Sequence, residues 1–306
     1  MATQSFSERF KKALAFKSLD VEEPIDVRFH RPIAAALTAL ISETSITPNQ
    51  VTLMSLLTGW TGSAFLFLAF FNHALFGVLG WLLAGFFLFA SVVLDCADGQ
   101  LARSRGGGSR MGRLLDGFVD VLVLFPAYVI LGFGIRASFG DLWFYVAAVA
   151  GFSTWIHCAV YDKLKNVYIA HTMANAGGGE GSETIEEVKA ELALARASNA
   201  TTLDIFLLDL YVFYLGVQQR FAPGTTEKRE SARQPEEMEV FRRDNRLTMR
   251  LTSWLGLGTH MFLIYTAIAL CAVLPEALLV LQLVFAVVFN LILGIVLVRS
   301  RSFRAA

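Results

Sequence analysis

Five stretches of the chain are apolar almost without a break over the length needed to cross a bilayer: roughly 51–71, 75–94, 114–133, 141–161 and 277–298. A sixth, roughly 251–273, is nearly as strong. About 20 helical apolar residues cover a hydrocarbon core about 30 Å thick. The pattern therefore predicts an all-α integral membrane protein with six transmembrane helices. Between the fourth and fifth spans lies a long polar stretch, about 162–248, with one further apolar piece from Leu203 to Val217. That piece is short and carries Asp204 and Asp209. It is expected to be an interfacial or partner-packed helix within a long cytoplasmic helical insert, not a seventh span.

The segments around the spans carry their own signals. From Arg28 to Ser42, the residues Phe29, Ile33, Ala36, Leu37, Leu40 and Ile41 fall near one helical face. This predicts an amphipathic juxtamembrane helix, lying on the membrane, packed on protein, or both. Thr47-Pro48-Asn49 has the form of an N-cap, an N1 proline and the start of the first span. In the insert, Ala176 to Gly181 predicts a flexible loop. Thr184 with Glu187 predicts a capping box ahead of Ile185, Val188 and Leu192 at helical spacing. Pro223 to Arg243 is rich in charge and shows no apolar period, and there is no internal repeat. The expected organisation is an N-terminal cytoplasmic arm (1–27), a juxtamembrane helix with spans one to four (28–165), the insert (166–248), and spans five and six with a basic tail (249–306).

Composition agrees with this layout. Hydrophobic residues make up 55% of the 306 and charged residues 17%, with a mean hydropathy of +0.54. A soluble domain carries about a quarter charged residues, so a soluble enzyme is disfavoured. The 26 Phe and 5 Trp exclude global disorder. Cys96, Cys158 and Cys271 lie in or beside apolar runs and are expected to be buried hydrophobes, not disulfides or a zinc site. His30, His73, His157, His171 and His260 show no paired metal spacing. The first 30 residues lack an apolar core, so no cleavable signal peptide is expected. Net charge is zero, which gives no general pull toward nucleic acid.

The distribution of charge sets the topology. With the N-terminus inside, the inner segments hold Arg9, Lys11, Lys12, Lys17, Arg28 and Arg31, then Arg103, Arg105, Arg110 and Arg113. They also hold the many Lys and Arg of 163–250, and finally Arg299, Arg301 and Arg304, whereas the outer loops hold only Arg136. That is the positive-inside asymmetry for six spans with both termini cytoplasmic. A seventh span would put the last three arginines outside. The expectation is a multi-pass protein of the cell inner membrane, if the source is bacterial, with its site facing the cytoplasm.

One segment interrupts the apolar pattern at a cost. Asp95 and Asp98 stand at i, i+3 near the inner end of the second span, and Asp116 and Asp120 at i, i+4 near the inner start of the third. Each pair lies on one helical face. The short connection through Gly106-Gly107-Gly108-Ser109 makes the two helices antiparallel neighbours, so the pairs can converge. A lone carboxylate at Asp120's depth costs on the order of 3 kcal/mol, and four together repel. Arg103 offsets one charge, not four, and beside the carboxylates it suits a phosphate. Two divalent cations answer the remainder, and a carboxylate-only ligand set favours Mg²⁺ or Mn²⁺. Clustered carboxylates with two ions are a recurrent device for displacement at phosphorus.

The same residues carry a resemblance. Asp95, Asp98, Gly99, Ala102, Arg103, Gly112, Asp116 and Asp120 fill D-x2-D-G-x2-A-R-x8-G-x3-D-x3-D, the signature of the CDP-alcohol phosphotransferase family. The six-span layout, the amphipathic helix and the Thr-Pro-Asn start of the first span are also similar to that family. The resemblance covers roughly 28–165 and 249–300, and leaves out the arm and the insert at 166–245. It implies transfer of a phosphoalcohol group from a CDP-alcohol to an acceptor alcohol with release of CMP, in phospholipid biosynthesis. It further implies that Asp95, Asp98 and Asp116 hold one metal and Asp116 with Asp120 the other, with Asp120 as the base. Gly99, Arg103 and Ser109 would line the CDP site, with Asn49 and Thr52 nearby. The implied partners are the donor, the acceptor and the lipid bilayer, and a homodimer is compatible with it.

The donor is either CDP-diacylglycerol with a small polar acceptor or a soluble CDP-headgroup with a lipid alcohol. The Ile46–Thr52 stretch is also similar to enzymes that join inositol phosphates from a CDP-inositol donor. The alternative class is a divalent-cation transporter that uses the intramembrane carboxylates. Transport would favour acidic residues near the midplane of several spans, whereas here they sit toward one side of two.

Overall fold

The computed structural model describes residues 5–15, 18–107, 110–173, 184–198, 200–221 and 234–300. Among them there is no strand. The helices are α1 (Phe6–Ala13), α2 (Arg31–Ile41), α3 (Pro48–Phe71), α4 (His73–Ser104), α5 (Arg110–Phe139) and α6 (Asp141–Thr172). They continue with α7 (Ile185–Ala197), α8 (Thr202–Phe221), α9 (Pro235–Thr252), α10 (Leu257–Leu270), α11 (Ala277–Leu283) and α12 (Asn290–Arg299). Six helical stretches are long and apolar enough to cross a membrane: Pro48–Phe71, Phe76–Ser104, Leu114–Phe139, Asp141–Thr172, Pro235–Leu270 and Ala277–Arg299. The all-α, six-span expectation holds.

The helices outrun the apolar runs that announce them. α4 continues from the expected boundary near 94 to Ser104, and α6 from near 161 to Thr172. Both predicted caps are present. Thr47 Oγ1 accepts from the Gln50 amide at 3.3 Å while Gln50 Oε1 accepts from the Thr47 amide at 2.9 Å. Thr184 and Glu187 make the same reciprocal pair. The glycine loop at 176–181 lies outside the described residues.

One segment departs from the sequence reading. Part of the stretch without an apolar period, from Pro235 onward, is the first half of α9. α9 buries Phe241, Asn245, Thr248, Met249 and Thr252, a helical stripe. Three of the five are polar, which hides the stripe from hydropathy. Two of them bond locally: Asn245 Nδ2 donates to the Phe241 carbonyl at 3.0 Å, and Thr252 Oγ1 to the Thr248 carbonyl at 2.8 Å; the Thr248 hydroxyl accepts from Arg299 Nε at 3.3 Å.

The chain divides into two compact units. The first falls within Met1–Lys17, Glu23–Phe152 and Leu257–Val287, the second within Ser18–Glu22, Ser153–Gly256 and Val288–Ala306. In the first unit, α3 packs on α4 through small residues, as spans in lipid do. A Cβ at Gly59 would lie 2.7 Å from Val123 Cγ1 and 2.9 Å from Ser91 Oγ, and one at Gly62 would lie 2.9 Å from the Leu88 amide nitrogen. Ser91 Oγ donates to the Ser55 carbonyl at 2.8 Å, and Trp60 Nε1 to the Leu122 carbonyl on α5 at 2.9 Å. α2 turns its small side in. Ala34 joins Val51, Val93, Ala97 and Leu101 in one apolar cluster, while Phe29, Ile33 and Leu40 face outward.

The segment ahead of α2 is tied to α10 by buried polar groups. The Glu23 carboxylate accepts from the Gly258 amide at 3.2 Å, the Thr259 amide at 2.7 Å and Thr259 Oγ1 at 2.9 Å, which caps the helix start. A short π-helical turn, Asp26–His30, follows. His30 Nδ1 lies 2.7 Å from Asp26 Oδ1 and Nε2 3.0 Å from the Tyr265 hydroxyl. A Cβ at Gly258 would overlap the Asp26 carboxylate, so this close approach requires glycine.

In the second unit, Asp20 anchors a charged cluster: Arg246 Nε donates to it at 3.1 Å and the Tyr168 hydroxyl at 3.4 Å. α7 and α8 form a hairpin in which Arg196 Nη2 lies 2.8 Å from each Asp209 oxygen.

Burial, and next the neighbouring Asp26, push the Glu23 carboxyl up to about 8 from 4.5, against the pull of its donors. A raised folded-state value means stability that is fully present below about 4.5 and lost as pH rises through about 8. Thermal unfolding in detergent from pH about 5 to about 9 should therefore show a falling Tm. Glu23→Gln should flatten that fall, and an unchanged slope in the variant would show that Glu23 stays ionised.

Candidate active site

Asp95 and Asp98 lie nine and six residues before the end of α4 at Ser104, and Asp116 and Asp120 six and ten residues after the start of α5 at Arg110. The carboxylates therefore sit about two turns inside the helices rather than on the loop. The reversal begins with glycine. Gly106 and Gly107 have φ of +105° and +109°, a region costly for any residue with a Cβ. Their amides close the helix end, Gly106 to the Arg103 carbonyl at 3.2 Å and Gly107 to the Ala102 carbonyl at 3.0 Å. Gly108 and Ser109, the latter expected in the donor site, lie outside the described residues.

Three of the four carboxylates converge. Asp95, Asp98 and Asp116 each present an oxygen within 4.8 Å of the others. Asp98 is buried, 4% exposed. Asp95 Oδ1 and Asp116 Oδ1 are buried with no hydrogen-bond partner. Asp120 stands one turn beyond Asp116, outside that group of three, and its charge acts on Asp95. Arg103 is the cation whose field reaches Asp98 and Asp116. A Cβ at Gly99 would lie 3.2 Å from Arg103 Nη1, so the glycine keeps the approach beside that guanidinium open.

Thr52 and Asn49 come from the first turns of α3. Asn49 is exposed. Thr52 is buried, and its hydroxyl lies 2.5 Å from Asp98 Oδ2 and 3.1 Å from the Pro48 carbonyl. Of the two, the shorter contact is that to Asp98 Oδ2. The sequence expectation put Thr52 beside the CDP donor; in the structure its hydroxyl is engaged in orienting a carboxylate.

Sequence reasoning missed Arg105 as a site residue. It counted there only as one more inner positive charge. Its Nη1 donates to the Ile46 carbonyl at 2.6 Å, and its Nη2 to the carbonyls of Thr44 at 2.8 Å, Ser42 at 3.2 Å and Ile41 at 3.4 Å. These carbonyls follow the C-terminus of α2, where backbone acceptors run out of helical partners. Arg105 thereby fastens the segment leading to Asn49 and Thr52 onto the helix end that carries Gly99 and Arg103. The only sequence signal is a second arginine two residues after Arg103.

The family model for CDP-alcohol phosphatidyltransferase matches residues 45–215, more than half of the chain. The chain belongs to this family. Its members are transferases of substituted phosphate groups that act in lipid synthesis and use a divalent metal. A CDP-alcohol donor, an alcohol acceptor and a membrane setting come with the family. No curated protein matches the chain. The match differs in extent from the motif-based resemblance. It runs through α7 and most of α8, which the resemblance left out, and stops short of 249–300, which the resemblance included. The alternative of a divalent-cation transporter is not supported, because the matching family is one of transferases.

Replacing Arg105 should be felt at the donor. Arg105→Ala should raise the donor KM several-fold with a smaller change in kcat. Arg105→Lys, which has no planar fork, should recover only part of the loss. A fall in kcat at constant KM would show that the 41–46 segment does not hold the donor side of the site.

Proposed function

We propose that the protein is a membrane phosphotransferase in which the carboxylates of α4 and α5 organise attack of an alcohol on a CDP-linked donor. The observation that carries this reading is the convergence of Asp95, Asp98 and Asp116 around two buried oxygens that lack hydrogen-bond partners. An all-oxygen donor set of this kind fits hard divalent ions. Asp95, Asp98 and Asp116 would hold one, and Asp116 with Asp120 a second, Mg²⁺ or Mn²⁺ in each case. Bound there, such ions would supply positive charge to the diphosphate and the departing CMP.

The chain's own residues account for the rest. Arg103 binds the diphosphate, with Gly99 leaving the backbone open to it. Asn49, Thr52 and Ser109 complete the donor side, Thr52 by holding Asp98. The acceptor oxygen attacks the β-phosphorus, a new O–P bond forms, and the bond from that phosphorus to the bridging oxygen breaks. CMP leaves with that electron pair, and Asp120 takes the acceptor's proton. The donor is CDP-diacylglycerol or a CDP-headgroup, which an assay of CMP release with a panel of both distinguishes. Both termini and the insert lie in the cytoplasm, as the arginine and lysine asymmetry supports.

Roles within the cluster separate by measuring donor binding and single-turnover rate together. Asp120→Asn should slow turnover by about 10²–10⁴-fold while keeping donor affinity. Asp95→Asn should lose both, and Arg103→Ala should mainly weaken donor binding. Equal loss of donor affinity in Asp120→Asn and Asp95→Asn would make Asp120 a ligand and place the base elsewhere.

Topology is tested in intact cells. A cysteine replacing Ser138 should react with a membrane-impermeant maleimide from outside, and one replacing Ser7 only after permeabilisation. The opposite pattern would turn the site to the other face.

A further inference from the structure

The α7–α8 hairpin takes no part in the proposed reaction, yet α8 is apolar on two sides. Leu207, Leu208 and Leu215 are buried. On the other side Leu203, Phe206, Leu210, Phe213 and Val217 recur at i, i+3, i+7, i+10 and i+14, one straight stripe. Leu203, Phe206 and Phe213 are 51%, 48% and 60% exposed. Charge is kept off this stripe. Asp204 projects from the opposite side of the helix, and Asp209 at its flank is paired with Arg196.

α6 indicates what covers the stripe. Its Leu142, Tyr145, Val149 and Phe152 are exposed, the outward face of a span. Beyond that stretch, α6 packs against α8. The Trp155 ring stacks on Phe213 with centroids 6.2 Å apart and planes 16° from parallel. Further along α6, the Tyr214 hydroxyl donates to Asp162 Oδ2 at 2.5 Å. Trp155 is fourteen residues into α6, roughly 20 Å from its start at Asp141. That leaves roughly 10 Å before the far edge of a hydrocarbon core about 30 Å thick. Phe213 shares that depth, and the stripe it belongs to is exposed. The Tyr214–Asp162 pair lies about 10 Å further along α6, near the edge of the core.

We propose that α8 is held in the membrane, with its Leu203–Val217 stripe against the acyl chains of the leaflet in which α6 ends. The insert is then a membrane-bound hairpin rather than a free cytoplasmic domain. This inference does not depend on the reaction.

The test uses the full chain in phosphatidylcholine liposomes, with Cys96, Cys158 and Cys271 replaced by alanine. Single cysteines are introduced as Phe206→Cys, Leu210→Cys, Phe213→Cys and, on the opposite side, Gln219→Cys, and each is labelled with bimane. Labels at 206, 210 and 213 should be quenched by doxyl lipid and spared by iodide, and the label at 219 should show the reverse. Phe213 packs on Trp155, so positions 206 and 210 carry the result if the variant at 213 does not fold. Iodide quenching at 206 and 210 would place the stripe in water and overturn the proposal. Protection from both quenchers would overturn it equally, by putting protein on the stripe.

Discussion

A buried carboxylate oxygen without a hydrogen bond costs free energy on the scale of a whole stabilising interaction, and Asp95 and Asp116 each have one. Repulsion among neighbouring carboxylates adds to that cost. Such an arrangement persists only if the surrounding structure fixes the helices that carry it. The close packing of α3 on α4 meets that need. Ser55, Gly59 and Gly62 bring the two backbones together, and Thr52 lies on the same helical stripe one turn earlier. The face that packs α3 onto α4 therefore ends in the hydroxyl that holds Asp98. Packing and positioning of the site are one feature of α3, not two.

The two arginines at the end of α4 divide their tasks by geometry. Residues two apart on a helix do not face the same way. Arg105 turns to the backbone carbonyls of residues 41–46, and Arg103 lies beside Gly99 on the carboxylate side. A guanidinium spent on neutral carbonyls fixes a loop without offsetting the acidic cluster. The preceding segment is fixed by the same kind of device, since Glu23 and His30 bond to α10.

What was legible in the sequence follows from the range of each interaction. Spans are local runs of apolar residues, caps are local pairs, and the carboxylates reveal themselves by helical spacing within 26 positions from Asp95 to Asp120. The contacts that escaped notice join distant residues. Thr52 and Asp98 are 46 apart, Arg105 and Ile46 59, and Glu23 and Thr259 236. No local pattern marks them, because a backbone carbonyl leaves no trace in side-chain identity. α9 escaped for a different reason: its buried stripe is built from Asn and Thr that bond their own helix, so hydropathy registers polarity where the structure has a core face.

The charges of the site constrain its order of events. Asp95, Asp98, Asp116 and Asp120 stand together, and among the described side chains Arg103 is the cation whose field reaches Asp98 and Asp116. A CDP-linked donor brings a diphosphate, which adds negative charge to a region already rich in it. If Arg103 met that diphosphate, as proposed, its charge-assisted bonds would contribute about 1.5–3 kcal/mol, less than the repulsion of several ionised carboxylates in a medium of low dielectric. On the proposed reading, the fixed residues alone would hold an anionic donor weakly. On that reading, donor affinity would be linked to cations on the acidic cluster. The orphaned oxygens of Asp95 and Asp116 fit that reading, since at this point the chain supplies acceptors.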